Sequence, residues 1–155
     1  MKIRLIVSGL LLAPILVSQA VRAQPPGPPP GNWSEPKTPL EKDMHQIASA
    51  VKKLKKQLGD ASQNASSLEL VAQIRDGASA ASGETPSYAA DKPEAERAAF
   101  VADFQSDMKD FVAKVDTLAA TLKANDNDAA AKIFKELIDA EHKGHKEFQK
   151  PKPQQ

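Results

Sequence analysis

Residues 39–59 read PLEKDMHQIASAVKKLKKQLG, and their spacing decides the fold. Apolar side chains fall at Leu40, Met44, Ile47, Val51, Leu54 and Leu58, in steps of 4, 3, 4, 3 and 4 residues. A helix returns to one face every 3.6 residues and a strand every second residue, so this run is the stripe of an amphipathic helix. Thr38 can accept from the free amides of the first turn, and Pro39 suits a first helical position, where no amide hydrogen is needed. Gly59 ends the run.

The same period recurs three times. A second helix is expected from about Ser66 to Ser82, with Leu70, Val71, Ile74, Ala78 and Ala81 facing inward. Gly77 and many small residues dilute its pattern, while Gly83 and Pro86 mark its end. A third starts near Pro93, with Glu94 and Glu96 well placed against the amide dipoles of its first turn. It carries Phe100, Phe104, Met108, Phe111, Val115, Leu118 and Leu122. Asn125-Asp126-Asn127-Asp128 supplies a tight turn and a cap for a fourth helix. That helix runs through Ala130, Ile133, Phe134, Leu137 and Ile138 to His145 and Phe148, and stops before Pro151. The links are short, except for about ten residues between the second and third helices. The fold class expected for residues 39–150 is all-α, an antiparallel up-down-up-down four-helix bundle.

The flanks belong to something else. Lys2 and Arg4 precede an apolar stretch from Leu5 to Val17 broken by Pro14, and Val21-Arg22-Ala23 precedes a cut before Gln24. Residues 1–23 therefore read as a secretory signal peptide, with an uncleaved anchor as the alternative. Residues 24–38, dominated by Pro25, Pro26, Pro28, Pro29, Pro30 and Pro36, read as an extended arm. The arm is a tether, a partner-binding segment, or a strap that docks Trp33 on the bundle, and the sequence does not choose among them. Residues 151–155 read as a disordered tail. Without Lys2, Arg4 and Arg22, 18 of the 21 basic residues remain against 20 acidic ones. A mature charge of −2 gives no general pull toward nucleic acid. With no cysteine, an exported chain has neither a disulfide framework nor a site for acylation. The expectation is a periplasmic monomer, free of the membrane once the signal is removed. No nucleophile–base pattern, phosphate loop or zinc-protease motif is present, so the chain is not expected to be an enzyme.

Two residues on the apolar stripes are unusual for where they fall. In an up-down bundle the start of the first helix and the end of the fourth share one end. Met44 lies about five residues in, or roughly 7 Å along the axis, and His145 lies about as far from the other terminus. At 100° per residue His145 falls within about 20° of Phe134 and Ile138, whereas His142 is about 60° further out. His45 is turned about 100° from Met44 and away from the core. A thioether facing an imidazole is a common way to hold haem iron, and without cysteine any haem would lack thioether bonds to the chain.

Leu40-Glu41-Lys42-Asp43-Met44 and His145-Lys146-Glu147-Phe148 resemble the helix start Leu-Glu-x-x-Met and the helix end His-x-x-aromatic of the cytochrome b562 family. Thr85-Pro86 fits that family's interhelical proline, and the resemblance covers about Leu40 to Lys150. It implies a periplasmic electron-transfer protein with one non-covalent haem b. Met44 would be its sixth ligand through sulfur and His145 its fifth through a ring nitrogen. Phe104 and Met108 would contact the porphyrin, and the partners would be unidentified periplasmic redox proteins. Two positions depart from the pattern: Glu141 brings a carboxylate to the inward face, and Gly144 leaves that wall without a side chain.

The alternative from another class is a haem-free helical protein of the envelope with a metal-binding or stress-related role. His142 and His145, at i and i+3, would then form part of a surface metal site with Glu141. Lys52, Lys53, Lys55 and Lys56 make a basic run that is either a solvated face or a dock for an acidic redox partner.

Overall fold

Each of the four stripes forms one helix. The computed structural model describes residues 38–151, so the signal peptide expected over 1–23 and nearly all of the arm (24–38) and tail (151–155) lie outside it. Helix α1 spans Pro39–Gln57, α2 Asn64–Ala81, α3 Glu94–Lys123 and α4 Asn127–Phe148. Short 3₁₀ turns cover Ala61–Gln63 and Ser87–Asp91, and there is no strand among the described residues. Thr38 caps α1 as its residue type suggests, its Oγ1 accepting from the Glu41 amide at 3.1 Å.

The contacts between helices run in opposite senses. Along α3 and α4, Asp107 pairs with Lys143 while Lys114 pairs with Glu136, so one number rises as the other falls. The Arg75–Asp116 and Asn64–Asn125 pairs do the same for α2 and α3. Gln57 with Ser67, and Ile47 with Gly77, do it for α1 and α2. The result is an antiparallel four-helix bundle. Its core is built from Leu54, Val71, Ile74, Val115, Leu118 and Leu122, each 0–1 % exposed. Burying a side chain of this size stabilises the fold by about 1.5–3 kcal/mol.

Helix α2 differs from expectation. It begins at Asn64, two residues early, because Asp60 caps the 3₁₀ turn that leads into it. Leu70 is only half-buried, and Ser67 and Gly77 are buried on that face. At Gly77 α1 and α2 pack closely. A Cβ there would stand 3.0 Å from Ile47 Cγ1 and 3.4 Å from the Asp43 carbonyl oxygen. The small residues that dilute the stripe are what let the backbones approach.

The turn between α3 and α4 takes three residues. Asn125 adopts φ 58°, and the Asn125 and Asp126 amides donate to the carbonyls of Leu122 and Thr121 at 3.0 and 3.1 Å. This left-handed turn satisfies the last carbonyls of α3. Asp126 then caps α4 by accepting from the Ala129 amide at 3.0 Å. Beside it, Asn127 donates to the Leu58 carbonyl at 2.8 Å and to Asn64 Oδ1 at 2.9 Å. Asn64 in turn donates to Asn125 and Asn127. One end of the bundle is thereby tied across all four helices.

Candidate functional site

The α1 and α4 backbones make little close approach along their length, and at the other end a cleft of about 540 Å³ opens. Its α1 wall carries Met44 and Ile47, and its α3 floor carries Phe104, Met108 and Phe111. The α4 wall presents Glu141, Gly144, His145 and Phe148, and Pro86 of the α2–α3 link reaches its end. The inner surface is apolar because the stripes of α1 and α3 continue into it. Charged residues, among them Asp107, Lys114 and Lys143, line its margins. The volume lies within the range of small-ligand sites, about 300–1,000 Å³.

The structure brings all four residues singled out from the sequence, Met44, His145, Phe104 and Met108, to this one cleft. Met44, Met108 and His145 are half-buried and Phe104 is buried. The tie of Asn127 to Leu58 sets the relative heights of α4 and α1. From it, Met44 lies about 21 Å along α1 and Glu141 about 21 Å along α4, and His145 is one turn, about 5–6 Å, beyond. The thioether and imidazole therefore enter from opposite walls at heights one helical turn apart.

The remaining histidines are exposed: His142 is outside the cleft lining, and His45 stands at its rim. The turn of His45 away from the core is as the helical wheel requires, but the cleft is wide enough to reach it. Among the described residues no group of three or more His, Asp or Glu side chains is arranged to hold a metal ion. The Glu141–His142–His145 metal site thus has no geometry behind it.

The two departures have structural consequences. Glu141 is half-buried in the cleft wall, with a route to solvent that a bare carboxylate needs. A Cβ at Gly144 would meet nothing within 4 Å, so the wall beside His145 is open. These features fit a flat, apolar group of haem's kind. Aromatic and thioether side chains would face its surface, and a soft sulfur and an imidazole nitrogen suit its iron. The chain has no cysteine, so a haem here would lack thioether bonds to it.

Sequence reasoning did not find the contacts behind this wall. Tyr88, in the link, packs edge-on against Phe100 with ring centroids 5.7 Å apart. Lys150, at the end of the cleft, pairs with Asp91 at 2.6 Å. The neighbouring Asp91 carboxylate holds the Lys150 ammonium pKa above its ordinary value. The single tyrosine of the chain was the available signal.

Among curated proteins and among solved structures, none matches the chain significantly. The family model for cytochrome b562 matches residues 39–149. That span opens on the first residue of α1 and closes one residue past α4, so it takes in both walls of the cleft and its floor. The chain belongs to the cytochrome b562 family of haem-binding electron-transfer cytochromes.

Proposed function

We propose that this chain carries single electrons in the periplasm through one non-covalent b-type haem, held between the Met44 thioether and the His145 imidazole. The observation that carries the reading is a single cleft lined from opposite walls by both donors. When bound, the haem supplies the Fe(III)/Fe(II) couple. Met44 and His145 would both donate to the iron and leave no open position for oxygen or a substrate, which suits transfer rather than catalysis. Thioether sulfur favours Fe(II), so Met44 raises the reduction potential above that of a bis-histidine site. Phe104 and Met108, which line the cleft, would exclude water from the ring. The packed bundle holds both donors through a change of oxidation state, which limits rearrangement.

The export reading rests on the Lys2–Ala23 sequence pattern. No helix among the described residues is long and apolar enough to cross a membrane. Partners are redox proteins of the same compartment. Lys52, Lys53, Lys55 and Lys56 are exposed on the half of α1 away from the cleft, about 12–18 Å from Met44 along the axis. They serve to steer an acidic partner rather than to contact it over the haem edge. Association should slow as salt is added, and a salt-independent rate removes this role.

The test is the absorption spectrum of the haem-loaded chain, oxidised and reduced. A six-coordinate low-spin spectrum is expected in both states. Met44→Ala or His145→Ala should turn it high-spin or strip the haem. A low-spin spectrum that survives either substitution overturns that ligand's assignment.

A further inference from the structure

His145 occupies the last turn of α4, where a helix ordinarily frays. Its carbonyl accepts the final bond of the helix, from the Gln149 amide at 3.1 Å, and the last carbonyls of any helix lack intrahelical donors. A donor atom in a fraying turn would have to be ordered each time it met a ligand, at an entropic cost. Here that turn is held from outside the cleft.

Phe148, three residues past His145, is 7 % exposed. Its ring meets Phe104 at 5.3 Å in an edge-on contact and Phe100 at 5.3 Å in a tilted one. Phe100 is backed by Tyr88, and the Lys92 ammonium sits over both rings, 4.4 Å from one centroid and 4.7 Å from the other. The 3₁₀ turn that carries Tyr88 is itself fastened to α3. Arg97 donates to the carbonyl of Lys92 at 3.0 Å and to that of Ala90 at 3.2 Å. From the same turn, Asp91 reaches Lys150 just beyond the end of α4. The helix end is thus held by both apolar contact and an ion pair.

We infer that the Ser87–Asp91 turn is a clamp on the end of α4, and that Tyr88 and Asp91 are positioning residues that keep the His145 imidazole set for the iron. This rests on the ligand reading above. Neither residue itself lines the cleft, and each reaches His145 through the end of α4. Tyr88 acts through the Phe100–Phe148 stack, and Asp91 acts through Lys150.

The test uses the full chain, with and without haem, carrying Tyr88→Leu, Asp91→Asn or the opposite-end control Asn127→Ala. Without haem, amide hydrogen exchange over Lys146–Gln149 should quicken about tenfold in Tyr88→Leu, which loses an aromatic pair and a cation–π contact. In Asp91→Asn the gain should be up to about fivefold, as for an exposed ion pair. Asn127→Ala should lower overall stability without this local effect. With haem, both clamp variants should show a larger high-spin fraction that added imidazole reverses, and the control should not. Unchanged exchange in Tyr88→Leu overturns the clamp. Faster exchange with an unchanged spin state, in a protein where His145→Ala abolishes the low-spin form, overturns the positioning role. A low-spin spectrum surviving His145→Ala overturns the ligand reading and the positioning role with it, while exchange still reports on the clamp.

Discussion

Where α1 stops and α4 starts, Asn64, Asn125 and Asn127 knot the helices together above Leu54, Leu58, Leu118 and Leu122, none more than 5 % exposed. Where α1 starts and α4 stops, the same two helices line a cleft whose Met44, Met108 and His145 are half-buried. The first end spends its side chains on packing; the second leaves its interior open and is held at its margin by Tyr88, Phe100 and Phe148. Stability is concentrated away from the site, which lets the site stay unfilled by protein without unfolding the bundle. Binding of a group to the open end adds stability there by mass action, about 2.7 kcal/mol when it is present at a hundred times its dissociation constant.

The largest test of this division compares Leu122→Ala with Met108→Ala in urea unfolding of the haem-free chain. Leu122 is 1 % exposed, and its truncation should cost about 2–5 kcal/mol. Met108 already faces the cleft, so its truncation should cost only about 1 kcal/mol. Equal losses would mean that the open end is packed as tightly as the closed one.

Next in size is Asn127→Ala, which removes donors to Leu58 and Asn64 and an acceptor from Asn64. A loss of about 1–3 kcal/mol is expected in the same assay. The two glycines sharpen the contrast further. Gly77→Ala pushes a methyl group against buried Ile47 and should cost about 1–2 kcal/mol. Gly144→Ala meets nothing and should gain about 0.5–1 kcal/mol in the haem-free chain through helix propensity, while narrowing the cleft. A Gly144→Ala variant that lost stability would contradict the open wall.

The smallest effects are those of pH. Bonds from the Ser62 side chain and amide lower the Asp60 pKa below 3.8, so its contribution is fully present above 3.8 and is lost as pH falls through the folded value. Asp91 raises the Lys150 pKa above 10.5, so that contribution is fully present below 10.5 and is lost as pH rises through the folded value. Acid should therefore weaken a cap at the closed end, and alkali a tie at the open end. Urea midpoints across pH for Asp60→Asn and Lys150→Gln, each lacking one of these two slopes, check the assignment.

The four helices were legible because large apolar residues recur at helical spacing, and the shared end of Met44 and His145 followed from counting along antiparallel rods. Gly77 was misleading for a physical reason, since a close approach is recorded in sequence as a missing side chain and reads as a weak stripe. The Asn125–Asp128 run announced a turn and a cap, but nothing in it disclosed that Asn127 would reach Leu58, 69 positions earlier. Tyr88 and Lys92 fell in a link with too few residues to show a period, so their stacking on Phe100 became visible only in three dimensions.

The left-handed residue at Asn125 has a consequence far from its own turn. Because α4 continues unbroken for 22 residues, the azimuth at which it departs from that corner is carried undiminished to its tip. Each residue inserted or deleted within α4 itself would rotate everything beyond it by about 100°. A corner some twenty residues upstream thus sets where that rod begins, and one extra residue between Asn127 and His145 would turn the imidazole off the cleft with the corner still intact.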